Sequence, residues 1–382
     1  MTTPVRVPLV DLRASYASIR EELLAEFDRV LGEMQLFLGP NVRAFEEEFA
    51  AYCETSHAVG MSSGTDALHA TLRACDVRPG DEVVLPALTF FATTEAVIHV
   101  GATPVFADVD PETLTLDPAA VRDVIGPATR AIVPVHLYGQ PADMASLLEI
   151  AKKRNLRVIE DAAQAHGARS LGQRCGSLGD AGCFSFYFTK NLGAFGEGGC
   201  TTTNSLETAE RLQRLRNHGL ETKHTHSLVG HNFRLDELQA AVLRIKLKRL
   251  DEAIARRREI AARYDEAFAG SGIRVLGRRA DAEAAPHLYP IRVADRDALG
   301  VHLAAAGIET GIHYKVPAHR QAAMRSQLHR CGPLSVTERT CDELLSLPLY
   351  PELEDDQFAY VVERVLEFSG ESRPSARVRS AS

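Results

Sequence analysis

One lysine stands in a setting suited to amine chemistry. Lys190 follows the apolar run Cys183-Phe-Ser-Phe-Tyr-Phe188 and precedes a loop carrying Gly193, Gly196, Gly198 and Gly199. The run reads as a short buried strand. The glycines mark backbone that bends tightly or approaches something closely. A lysine at the end of a rigid strand is partly desolvated, which lowers its pKa and frees the amine for Schiff-base chemistry. A solvated surface lysine is the commoner case, so the chemical reading depends on what else converges there.

A second candidate lies upstream. A short strand from His57 leads into Ser62-Ser-Gly-Thr-Asp66, and Ala67, Leu68, Ala70, Leu72 and Ala74 carry a helix. Ser, Thr and Asp are N-cap types. The Gly64, Thr65 and Asp66 amides are therefore expected at a helix N-terminus, where anions bind. A plain cap with no ligand explains the same residues.

The elements that must position these groups alternate. Strands are predicted at 82–85, 104–109, 130–136 and 157–161, with helices between them. Such alternation argues a mostly parallel sheet flanked by helices, with ligands at the carboxyl ends of its strands. Phe90, Phe91, Asp108, His136, Asp161, Gln164, Ser185 and Lys190 fall at those ends. Two amphipathic helices precede the alternation. After it, 221–231 reads as a loop and 233–268 as one long helix. A composition shift near Gly270 predicts a smaller α/β unit with strands at 287–293 and 308–314 and helices at 296–306 and 355–368. The division predicted is a large domain over 1–250, a small C-terminal domain over 251–368 and a disordered tail over 369–382.

Bulk properties narrow the class. The chain has 382 residues, 45% hydrophobic and 25% charged, with a net charge of -8. No basic stripe is present, so neither nucleic acid nor an anionic membrane is expected as a partner. No apolar run reaches the ~18 residues a membrane span needs. The seven cysteines are odd in number and scattered, with no C-x-x-C, which fits a reducing cytoplasm. No metal site is expected: His224 and His226 lack the further ligands one needs.

The motifs together resemble a known family. Ser63-Gly-Thr-Asp-Ala-Leu68, Asp161-Ala-Ala-Gln164, Ser185-Phe-x-x-x-Lys190-Asn-Leu-Gly and Asn232-x-Arg-Leu-Asp-Glu-Leu-Gln-Ala-Ala occur in order. The chain resembles the DegT/DnrJ/EryC1/StrS sugar aminotransferases, pyridoxal 5'-phosphate (PLP) enzymes of the aspartate aminotransferase fold, fold type I. The resemblance runs from Val7 to the Leu345-Ser-Leu-Pro-Leu-Tyr segment. It implies an α/β fold with a large, mostly parallel seven-stranded-type sheet domain and a smaller C-terminal α/β domain.

The resemblance also implies roles. Lys190 would hold PLP covalently and then shuttle the proton as a free amine. Asp161 would pair with the pyridinium nitrogen, although a helix N-cap explains it too. Gln164 would bond the phenolic oxygen, and Phe90 would stack on the ring unless it is simply core. Gly64, Thr65, Asp66 and Ser185 would hold the phosphate. Asn232 matches a residue contributed by the neighbouring subunit, which implies a homodimer with shared active sites. His313, Tyr314 and His319 match a segment that approaches the sugar, with structural packing as the competing reading. Arg234 and Lys315 are candidates to offset the charge of a diphosphate substrate. Phe188-Thr189, Glu197, His231, Phe233 and Lys315 depart from the common pattern where substrate could be read.

The expected reaction moves an amino group from L-glutamate to a nucleotide-linked keto-deoxysugar, dTDP being the favoured nucleotide. C3 is favoured over C4 because His136-Leu-Tyr-Gly-Gln-Pro-Ala-Asp-Met looks most like the C3 enzymes. The rivals are a keto-cyclitol aminotransferase, an eliminating PLP enzyme (disfavoured by Lys190) and a non-catalytic binding or regulatory protein. A nucleotide dehydrogenase is disfavoured because the glycines at 193–199 do not open a helix after a first strand.

Overall fold

The computed structural model describes residues 7–370. The expected C-terminal tail therefore lies, from residue 371 on, outside the described residues. Seven strands between His57 and Thr203 form the central sheet: β1 His57–Met61, β2 Glu82–Pro86, β3 Thr103–Ala107, β4 Thr129–Ile132, β5 Arg157–Asp161, β6 Ala181–Ser185 and β7 Gly199–Thr203. Their order is β1-β7-β6-β5-β4-β2-β3, and a two-residue strand, Arg330–Cys331, adds to β3 as an eighth. All neighbours run parallel except β7, which is antiparallel to both β1 and β6. The strands are buried almost end to end because helices cover both faces, as parallel sheets require.

Two apolar layers flank the sheet. Leu68 and Leu72 of the helix Gly64–Ala74 pack with Val97, Leu212 and Leu215 in one. Val121, Leu147 and Ile150 pack with Val105 and Ile132 in the other. A third cluster joins the helix Pro40–Tyr52 to β6 through Phe45, Phe49, Phe184 and Phe186. The N-terminus of that helix is held from outside: buried Glu237 accepts the amides of Gly39 at 3.0 Å, Val42 at 3.2 Å and Asn41. A carboxylate there satisfies the free donors of the first turn and favours the helix dipole.

The C-terminal part has its own core. Tyr289–Arg292 pairs antiparallel with Leu344–Leu347. Tyr264, Phe268, Leu303, Phe358 and Val361 close over that pair.

Three elements differ from the sequence reading. The long helix is two, Glu237–Leu247 and Leu250–Phe268, broken at Arg249. The first packs Val242 and Ile245 on Ile19 and Leu23, while the second serves the C-terminal core. One straight rod cannot face both, yet a two-residue break leaves the apolar period intact. The segment 308–314 forms no strand, only single bridges at Ile308 and Gly311, because it turns its last residues into a cavity. Within 221–231 a short hairpin pairs Leu220–Thr222 with Thr225–His226.

Candidate active site

A cavity of about 680 Å³ opens where the chain leaves the carboxyl ends of the strands. Phe90 follows β2, Val135 follows β4, Asp161 ends β5 and Ser185 ends β6; all four line it. Past Ser185 the chain turns, the Lys190 amide donating to the Tyr187 carbonyl at 2.8 Å, and this delivers Lys190 into the cavity wall. Desolvation pulls the Lys190 pKa down to about 8, opposed by the charge of Asp161.

Asp161 is buried and accepts Thr93 Oγ1–H at 2.8 Å and the Ala163 amide at 3.2 Å. Burial pushes its pKa up, while the Thr93 and Ala163 hydrogen bonds favour the carboxylate. No helix starts after Asp161, so its bond from the Ala163 amide closes a local turn and the N-cap reading falls, while the buried carboxylate on the cavity wall remains. The Gln164 amide is oriented from two sides: its Oε1 accepts the Tyr138 amide at 2.6 Å, and its Nε2 donates to Tyr314 Oη at 3.0 Å. Tyr138 holds a left-handed backbone, φ 60°, and its hydroxyl donates to the His313 carbonyl. Non-glycine residues adopt this conformation only where their surroundings fix it. His313 lines the cavity with Nδ1 2.9 Å from Ser346 Oγ, and burial takes its pKa down to about 4.

At the other end, glycines permit a close approach. A Cβ on Gly64 would fall 2.6 Å from Ser185 Cβ, and one on Gly199 only 2.1 Å from the Ser63 carbonyl oxygen. The helix N-terminus is thereby pressed onto the ends of β6 and β7. Ser63 caps it, taking the Asp66 amide on its hydroxyl and the Ala67 amide on its carbonyl. The Gly64 and Thr65 amides keep no acceptor among the described residues and lie at the cavity.

The structure thus brings together Gly64, Thr65, Phe90, Asp161, Gln164, Ser185, Lys190, His313 and Tyr314. Phe90 is not core: it is 57% exposed, its ring 5.8 Å from that of Tyr314, and leaves a face open for stacking. Four expected residues stand elsewhere. Asp66 belongs to the cap, its carboxylate accepting the Ser62 and Ser63 hydroxyls. His319 faces Glu338 at 3.2 Å. Arg234 donates to Asn217 Oδ1 at 2.8 Å and covers the Phe37 ring. Asn232 is exposed beside Asn217 and does not line its own chain's cavity. Of the departures from the common pattern, Thr189 and Glu197 reach the cavity; Phe188, His231, Phe233 and Lys315 do not.

Sequence reasoning missed Thr93, Tyr138, Arg257 and His287, all contacts made across the fold. Only Tyr138, beside Gly139, carried a turn signal. The cluster His136, Glu160 and Cys175 places three metal-ligand types within 4.8 Å of one another. Glu160 is already filled by the Gly176, Leu178 and Gly179 amides and by His136, so the cluster fastens the loop before β6.

The residues present fit a phosphorylated pyridine aldehyde. The two open amides and the Ser185 hydroxyl suit its phosphate, buried Asp161 suits a ring N–H, and Phe90 offers an aromatic face. The fold and a desolvated lysine at this place define a PLP-dependent aminotransferase of fold type I. The sequence profile of the DegT/DnrJ/EryC1/StrS aminotransferase family matches residues 17–366, and the chain belongs to that family. It is a PLP-dependent sugar aminotransferase.

The chain is 47% identical over 365 residues to the dTDP-3-amino-3,4,6-trideoxy-alpha-D-glucose transaminase of Streptomyces venezuelae, covering 95% of this chain and 96% of that one. It is 44% identical over 361 residues to the UDP-N-acetyl-3-dehydro-alpha-D-glucosamine 3-aminotransferase of Acidithiobacillus ferrooxidans, covering 94% and 97%. The crystal structure of S. venezuelae DesV in complex with a ketimine intermediate superposes with a TM-score of 0.94 at 47% identity, covering 97% of this chain and all of that one.

Proposed function

We propose that the protein aminates the C3 keto group of a dTDP-linked deoxysugar, with L-glutamate as donor. The observation that carries C3 is the pair of relatives above, whose names both place the amino group at position 3 although their nucleotides differ. The higher identity favours dTDP. When bound, PLP supplies the electron sink that lets a substrate carbon lose its proton. Asp161 holds the ring N–H and is itself oriented by Thr93. Lys190 Nζ, kept largely desolvated, takes the proton as a free amine and returns it. Gln164 and Tyr314 fix the ring's oxygen side, and Gly64, Thr65 and Ser185 anchor the phosphate. His313 faces the sugar.

The working unit is a cytoplasmic homodimer in which Asn232 serves the partner's site. Its exposure supports this, as do the exposed apolar residues Met34 and Phe37, at 69% and 59%, the second of which lies under Arg234. Residues 1–250 and 251–368 act as its large and small units.

The test is the visible spectrum of the holoenzyme before and after L-glutamate, followed by dTDP-linked 3-keto and 4-keto sugars. The yellow cofactor band should bleach with glutamate, return with the 3-keto sugar and be absent in Lys190→Ala. Return with only the 4-keto sugar would overturn the C3 assignment.

A further inference from the structure

Arg257 is a buried cation that the catalytic roles above do not use. It sits on the helix Leu250–Phe268 and is 5% exposed. It lines the Lys190 cavity and also a smaller one of about 140 Å³ that shares Lys190 and Thr189 with the first. Nη1 donates to the Leu349 carbonyl at 2.8 Å and the His287 carbonyl at 3.4 Å. Among the described residues no acceptor meets Nε or Nη2, and neither nitrogen is fully buried, on a side chain that lines both cavities. Exposed Glu352 is the carboxylate whose charge reaches it, without an ion pair.

The guanidinium stays charged at neutral pH, although burial brings its pKa down to about 10. An unpaired buried cation is costly. Its open fork, facing a reactive site, fits an arriving planar anion. His287 beside it has no hydrogen-bond partner on Nδ1 and feels the charges of both Lys190 and Arg257, so the two cations share one wall.

We infer that Arg257 receives the α-carboxylate of the amino-acid donor. This rests on the aminotransferase reading above and narrows it to one contact. A carboxylate and a sugar diphosphate could each satisfy the fork. The donor's carboxylate is attached to the very carbon that gives its proton to Lys190, so it must lie beside the lysine. In a sugar aminated at C3, the phosphate is separated from the reacting carbon by C2, C1 and the glycosidic oxygen. Arg257, on the lysine's own wall, matches the nearer group.

The experiment follows the two half-reactions separately on the holoenzyme: L-glutamate in one, and the dTDP-linked 3-amino sugar, which has no carboxylate, in the other. Arg257→Gln should raise the L-glutamate KM by about 100-fold, the scale of removing one partner of a buried charge pair, and change the amino-sugar half-reaction by no more than about threefold on the same argument. Glutarate, which cannot react, should bind the wild type in calorimetry and fail to bind the variant. Equal losses in both halves would make Arg257 a strut between two carbonyls and overturn the inference. A loss confined to the amino sugar would overturn it in favour of the diphosphate. Arg257→Lys keeps the charge without the fork and gives the same comparison if the glutamine variant does not hold the cofactor band. L-glutamine, L-aspartate and L-alanine are run in parallel with the wild type. If one of these reacts and glutamate does not, glutamate falls as donor, and the Arg257 comparison is made with that amino acid.

Discussion

Lys190 and Asp161 set each other's protonation across the cavity. At pH 7 a lysine of pKa about 8 is roughly one-tenth free amine, against about one in 3,000 for an ordinary lysine. The rate at which cofactor-free protein captures PLP should therefore climb with pH through about 8. A midpoint near the ordinary lysine value would show that the desolvation is not felt in solution. Thr93 acts one step back. Its hydroxyl bonds the charged form of Asp161, so Thr93→Val should raise that carboxyl's pKa further. The acid limb of the rate profile should then move to higher pH, because the carboxylate is lost sooner as pH falls. A hydrogen bond to a buried charge is worth about 1.5–3 kcal/mol, so the rate should drop by roughly tenfold or more. A profile shifted the other way would remove Thr93 from the site.

At the scale of elements, the site depends on how closely the helix Gly64–Ala74 sits against β6 and β7. Of the two glycines at that contact, Gly199 has less room than Gly64, since backbone and not a flexible side chain meets any added Cβ. Gly199→Ala should destabilise the protein by about 1–3 kcal/mol through overpacking. It should also weaken PLP binding, since the Gly64 and Thr65 amides are pushed out of line. Thermal melts with and without PLP check both effects. An unchanged melting temperature together with unchanged PLP affinity would mean that the helix can retreat without cost. The sequence showed this glycine cluster plainly. It did not show that Gly199 serves the helix at 64, because their contact depends on β1 and β7 pairing across more than a hundred residues.

For the whole molecule, the expectation is that neither half of a dimer works alone. Lys190→Ala and Asn232→Ala homodimers should each be inactive. Allowed to exchange subunits, they should regain about a quarter of wild-type activity, since half of the random pairs are mixed and one site in each mixed pair is whole. Assays of the mixture over time check this. No recovery, with exchange verified by size and mass, would place Asn232 in its own chain's site, and an active Asn232→Ala homodimer would place it in none.

The chain's order of motifs was enough to determine the family and the sheet class, and to single out Lys190 as the candidate reactive lysine. Those features are local: a strand ending before Lys190, a capped helix at Gly64, and Asp161 three residues before Gln164. Their spacing follows from strand and helix periods that neighbouring residues set. What the tertiary structure alone decided are the long-range choices. It placed Asp66 in the cap and left the Gly64 and Thr65 amides open. It broke the helix at Arg249, and it turned 308–314 from an expected strand into a cavity wall. It also set Arg257 without a carboxylate on the wall of the Lys190 cavity, and took Arg234, Asn232 and His319 away from that cavity. Each choice depends on which distant surface an apolar face or a charge finds. Sequence periodicity carries the existence of such faces, but not their partners.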